Sequence, residues 1–163
     1  MVALDPTPGA AISRGCGGEH LKTGQCGAVD GHRQRNIDAH RSVVEAVNAR
    51  EVPEALLAPG FSMENRLSAV TDYDYHGATG FADWMSDLFE VFAEGALYEV
   101  EEVLAAGEDY VAAMFCVAGR GARSRLPLEF RWAGVTWFRG GLATKAVGYS
   151  SREEALKAVD LKP

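Results

Sequence analysis

Aromatic side chains are absent from the first 60 residues of this 163-residue chain; the first is Phe61. The opening 35 residues are glycine-rich and hold no Phe, Trp or Tyr. Such a segment buries too little apolar area to offset the entropy of ordering it. Residues 1–35 are therefore read as disordered, or as an extension the fold does not need, and residues 36–163 as the folded domain. No run approaches the roughly 20 apolar residues that span a bilayer, and the glycine-interrupted N-terminus has no apolar signal core. The expected location is the cytoplasm, with no membrane partner. Lys/Arg runs are also missing, and net charge is −7, which excludes nucleic acid as the expected partner.

The three cysteines, Cys16, Cys26 and Cys116, are too few and too scattered for a disulfide framework. Cys16, His20, Cys26 and His32 have spacings that match no common zinc module. Walker-type loops, nucleophile elbows and H-E-x-x-H are absent as well. Neither metal nor cofactor is expected.

What is present is an ordered series of periodic segments. Ile37, His40, Val43, Val44 and Val47 recur at helical spacing behind Asn36, an expected N-cap. "VPEALLAPG" reads as a second short helix, closed by Pro59 and Gly60. In "FSMENRL", Met63, Asn65 and Leu67 alternate with Glu64 and Arg66. "TDYDYHG" is extended or turning. Phe81, Trp84, Met85, Leu88, Phe89 and Phe92 share one face of a helix over 78–92. Four strands follow: "LYEVEEVL", "YVAAMFCVAG", "LEFRWAGVTWFR" and "LATKAVGYS". A tight turn, "RGG", joins the last two. Ser151 and Glu154 form a capping-box pattern that opens a terminal helix. Helices gathered before a strand meander imply an α+β design, a cone-shaped, curved antiparallel sheet wrapped around helices, with a hollow between the layers.

"VVEAVNAREVPEALLAPGFSMENR", "YHGATGFADWMSDLFEVF" and "FRWAGVTWFRGGLATKAVGYSSREEAL", in this order and spacing, resemble the SnoaL-like branch of the nuclear transport factor 2-like superfamily. The resemblance covers Asn36 to about Leu161 and implies a cystatin-like α+β barrel. The superfamily includes ketosteroid isomerases, polyketide cyclases, epoxide hydrolases and dehydratases, besides members that only bind. The isomerase motif, carried over residue by residue, puts Val43 where a tyrosine stands, Asn65 at the base and Gly134 at the second acid. None of the three can transfer a proton. At Gly134 the expectation is empty space where relatives carry an acid or a histidine.

The resemblance implies a mainly apolar pocket lined by His40, Val43, Asn65, Trp84, Leu88, Met114, Cys116, Phe130 and Trp132. Asn65 has two readings, an anchor for a ligand carbonyl or hydroxyl, or an internal hydrogen bond. His40, the one histidine expected inside, is either a titrating pocket group or a boundary histidine bonded to backbone. Structural roles are expected for His76, before the long helix, and for Cys116, a small buried hydrophobe without a visible activating charge.

The expected role is binding a small hydrophobic or aromatic molecule. One alternative is a polyketide- or terpenoid-type isomerase, cyclase or hydrolase using His40 and Asn65 as an unusual catalytic pair. Another is an interaction module without a ligand. Val135 and Trp137 are expected on the outer sheet face, where an apolar pair would serve a homodimer.

Overall fold

The computed structural model describes residues 26–67 and 74–161. Helix α1 spans Cys26–Ala49, and a single 3-10 turn over Glu54–Leu56 leads into strand β1, Leu57–Arg66. Strand β2, Asp74–His76, runs directly into helix α2, Gly77–Glu90. Strands β3 (Leu97–Ala106), β4 (Tyr110–Arg120), β5 (Pro127–Arg139) and β6 (Leu142–Tyr149) follow, then helix α3, Arg152–Lys157. No helix among the described residues is long and apolar enough to cross a membrane.

The six strands form one curved sheet that does not close, in the order β2-β1-β6-β5-β4-β3. Pairing is antiparallel except between β1 and β6, which run parallel. The wholly antiparallel sheet expected from the meander is corrected at this one junction, where strands distant in sequence meet.

Two element boundaries also differ from expectation. Helix α1 starts ten residues before Asn36, so residues 26–35 are helical and Asn36 is not a cap. Residues 1–25, with Cys16 and His20, lie outside the described residues. Asn36 is buried and its Nδ2 donates to the carbonyls of Glu108 at 2.8 Å and Gly107 at 3.3 Å, in the β3–β4 turn. Twelve residues on, about 18 Å along the helix, the Asn48 amide donates to the Tyr98 carbonyl at 2.7 Å and accepts from the Tyr98 N–H at 2.8 Å. Two amides thus clasp α1 to edge strand β3. Asn48 satisfies backbone groups at Tyr98 that this edge strand has no further strand to pair with. The second difference is at "LLAPG". Pro59 and Gly60 belong to β1 rather than ending a helix, and they fall inside a register irregularity between Leu57 and Ser62. A proline without an N–H is tolerated where the ladder is already interrupted.

The local signals elsewhere act as read. Gly140 and Gly141 both have positive φ, 60° and 83°, as a two-residue primed turn between β5 and β6 requires. The Ser151 hydroxyl accepts from the Glu154 N–H at 3.2 Å, while the Glu154 carboxylate accepts from the N–H of Ser150 at 3.1 Å. This caps α3 at its N-terminus.

The layers are α1 and α2, then the sheet, then α3. The inner face of the sheet and the two long helices share one apolar cluster, which includes Val47, Phe61, Met63, Phe81, Tyr98, Phe115 and Trp132. On the outer face, Ala112, Ala133, Val135, Val147 and Tyr149 pack with Ala155 of α3.

Candidate functional site

Between α1, α2 and the inner sheet face lies a cavity of about 660 Å3, within the ~300–1,000 Å3 typical of ligand pockets. Its walls are built from elements with simple periodicities. Helical spacing in α1 brings His40, Val43, Val44 and Val47 to one wall, and α2 brings Phe81, Trp84 and Leu88 to another. Alternation along the strands brings Met63 and Asn65 of β1, Tyr98 of β3, Phe115 of β4, and Phe130 and Trp132 of β5. Leu128 and Phe130 are the exposed end of the β5 wall, at 39% and 38%.

Aromatic rings dominate this interior. Tyr98 and Phe115 stack with centroids 5.5 Å apart and an 8° interplanar angle. Trp132 lies 5.6 Å from each of them. Trp84 meets the Tyr98 ring edge-on at 6.0 Å and Phe81 at 5.3 Å. Offset and edge-to-face contacts of this kind add about 0.5–1.5 kcal/mol per pair beyond burial.

Two polar rings stand within this apolar wall. His40 is 5% exposed and lies 5.4 Å from the Phe115 ring. Burial lowers its pKa to about 4, so it is neutral at pH 7. Tyr98 is 6% exposed, and burial raises its phenol pKa above the ordinary value. Neither side chain has a hydrogen-bond partner among the described residues, and because no polar side-chain atom there is both fully buried and unpaired, their polar atoms keep accessible surface. The boundary reading of His40, with a bond to backbone, is therefore corrected. Asn65 is half-buried, and its amide likewise finds no partner among the described residues.

Charge is kept to the rim and the outside. Glu64 pairs with Lys145, which lowers its carboxyl pKa, and with Arg66 at 2.8 Å. Asp87 accepts from the Tyr75 hydroxyl at 2.7 Å in an exposed contact.

Seven of the nine residues expected at the pocket border this cavity: His40, Val43, Asn65, Trp84, Leu88, Phe130 and Trp132. Met114 and Cys116 do not. Met114 packs in the outer cluster, and Cys116 stands opposite Arg131 in the β4–β5 register. Strand β4 is apolar on both faces, so its alternation carries no phase, and a phase error of one residue exchanges the faces. The phase is set by pairing Phe115 with Trp132. Cys116 is a buried thiol whose pKa burial pushes up, which leaves it unreactive. His76 is exposed at the junction of β2 and α2.

Phe115 also changes the meaning of Gly134. A Cβ on Gly134 would stand 2.8 Å from Cε2 of the Phe115 ring. The place expected to be empty is occupied by a phenyl group. Gly134 pairs with Gly148, and Gly148 with Asn65; a Cβ on Gly148 would lie 3.2 Å from Asn65 Oδ1. The paired glycines form a trough in the inner face, filled by the side chains beside it. Tyr98, Phe115 and Gly148 were not singled out from sequence. Tyr98 had a usable signal, its alternation with Glu99 and Glu101; Phe115 had none.

The outer face carries a further correction. Val135 does face outward, but it is 1% exposed within the cluster that α3 covers. Trp137 is half-buried and borders a polar concavity with Lys145 and Tyr149. The exposed apolar pair expected to serve a homodimer is absent.

No family model matches the chain. No curated protein matches it either. Solved structures do. A nuclear transport factor 2-like protein of unknown function from Mesorhizobium loti superposes with a TM-score of 0.57 at 15% identity, over 74% of this chain and 93% of that one. A protein from Catenulispora acidiphila with a ketosteroid isomerase-like fold, in complex with trimethylamine, has a TM-score of 0.57 at 16% identity, over 76% and 93%. A cystatin-fold protein from Novosphingobium aromaticivorans has a TM-score of 0.54 at 17% identity, over 69% and 96%. Identities this low speak to fold and leave chemistry to the site. The chain has the α+β fold shared by nuclear transport factor 2-like, ketosteroid isomerase-like and cystatin-like proteins.

Proposed function

We propose that this protein binds a small hydrophobic or aromatic molecule in the cavity between its helices and its curved sheet. The observation that carries the reading is the aromatic-walled space of about 660 Å3 that the side chains of the described residues leave unfilled. Tyr98, Phe115, Trp132 and Trp84 offer ring faces and edges on which an aromatic ligand stacks.

Binding is favoured over proton-transfer catalysis by the polar groups present. His40, with its pKa lowered to about 4, is a weak general base at neutral pH, and the Asn65 amide is neither an acid nor a base there. The acid position implied by the resemblance is covered by Phe115.

Native mass spectrometry of the purified protein tests the reading. The expected result is a mass above that of the polypeptide, released as a small organic molecule on denaturation, or uptake of an added aromatic compound that quenches the cavity tryptophans. An apo mass that takes up none of a panel of apolar aromatics refutes it.

A further inference from the structure

His40 and Tyr98 are at least nine-tenths buried and border the same cavity, and both rings contact Phe115, at 5.4 and 5.5 Å. Among the described residues neither finds a hydrogen-bond partner. No polar side-chain atom among the described residues is both fully buried and unpaired, so the polar atoms of these two cavity-lining residues keep accessible surface, where a bound molecule can pair with them. A neutral imidazole brings one donor and one acceptor nitrogen, and a phenol brings a donor O–H. A hydroxyl group answers both, donating to the imidazole nitrogen and accepting from the phenol.

The charge pattern sets a second condition. Among the described residues that line the cavity there is no Lys or Arg. The carboxylates at its border are Glu64, Asp87, Glu90 and Glu129. Glu64 is engaged by Lys145 and Arg66, Asp87 by Tyr75, and Glu129 by Arg131. An anion entering the cavity would lose its hydration without gaining a cation.

We propose that the ligand is a neutral, largely aromatic molecule whose buried end carries a hydroxyl, held by the His40 imidazole and the Tyr98 hydroxyl. This inference rests on the ligand-binding reading and narrows it to a chemical class.

A matched series of probes tests it: pyrene, hydroxypyrene, methoxypyrene and pyrenecarboxylate, followed at pH 7 by energy transfer from tryptophan. Hydroxypyrene is expected to bind about five- to tenfold tighter than pyrene, the size of one or two neutral hydrogen bonds. Methoxypyrene, which accepts but cannot donate, falls between them, and pyrenecarboxylate binds weakest. Tyr98→Phe keeps the ring stack and should remove most of the preference for hydroxypyrene while leaving pyrene unchanged. His40→Leu should bring methoxypyrene level with hydroxypyrene. Equal binding of pyrene and hydroxypyrene overturns the inference and leaves the ligand-binding reading intact. So does tightest binding of the carboxylate, or of a trimethylammonium-bearing pyrene added as a cationic control. If no member binds, both fall. Loss of all probes alike in Tyr98→Phe, with the fold retained by circular dichroism, also refutes the hydroxyl assignment.

Discussion

The two faces of β4 are almost equally apolar and do opposite work. Val111, Ala113, Phe115 and Val117 join the cluster around the cavity, whereas Ala112 and Met114 belong to the cluster under α3. Neighbouring residues Phe115 and Cys116 are both 5% exposed, so burial alone does not separate them. What separates them is the cross-strand partner, Trp132 for one and Arg131 for the other. One face is a ring-lined wall beside a hollow. The other is a closed layer roofed by a short helix.

The largest expected effect tests this contrast directly. Phe115→Ala removes the ring that stacks on Tyr98 and Trp132, and should cost about 3–5 kcal/mol in chemical denaturation together with probe binding in the cavity. Cys116→Ala, one residue on, should cost about 1 kcal/mol or less and leave probe binding unchanged. Equal effects on binding would mean the faces are not distinct.

The next effect is a pH dependence confined to the inner side. His40 has a folded pKa of about 4 against an unfolded value near 6.5. Its neutral form is the one that folding favours. Its contribution to stability is therefore full above pH 6.5, falls as the pH drops, and is lost by the time the folded-state value near 4 is passed. The span corresponds to about 3 kcal/mol. His40→Leu should flatten stability between pH 6.5 and 4 relative to wild type, measured by urea denaturation at each pH; the carboxylates titrate in both proteins and cancel in the difference. An unchanged slope would place His40 in contact with water.

A smaller effect sharpens the inner face itself. Gly134→Ala sets a methyl against the Phe115 ring and should cost about 1–3 kcal/mol. Combining it with Phe115→Leu should recover part of that cost, a positive coupling in a double-mutant cycle. Additive costs would show that the ring does not fill the glycine trough. On the outer face, Val135→Ala should cost about 1–2 kcal/mol and leave the sedimentation coefficient unchanged, because α3 rather than a second copy covers that side chain.

Much of the fold was legible because it rests on local chemistry. The apolar face of α2, the Gly140-Gly141 turn and the Ser151 cap each depend on residues within one or two turns of each other. The errors have a common cause. Asn36 has the side chain of an N-cap, but its amide is taken by carbonyls more than 70 residues away. Pro59 and Gly60 look like a helix stop, but a break in strand pairing accommodates them. Met114 and Cys116 were placed on the cavity by the resemblance, and a strand apolar on both faces has no readable phase to correct it. Gly134 was read as space because the ring that fills it comes from the neighbouring strand.

Sequence by itself determined where the chain is helical or extended over most of its length, and which helix face and which strand residues are apolar. Those properties follow from periodicity and turn chemistry, which neighbouring residues define among themselves. Tertiary structure alone decided that Phe115 rather than Cys116 faces the cavity, that Val135 is roofed by α3, and that His40 and Tyr98 stand unpaired beside the same ring. Each of these depends on strand register and layer packing, which join residues whose separation in sequence carries no information about their contact.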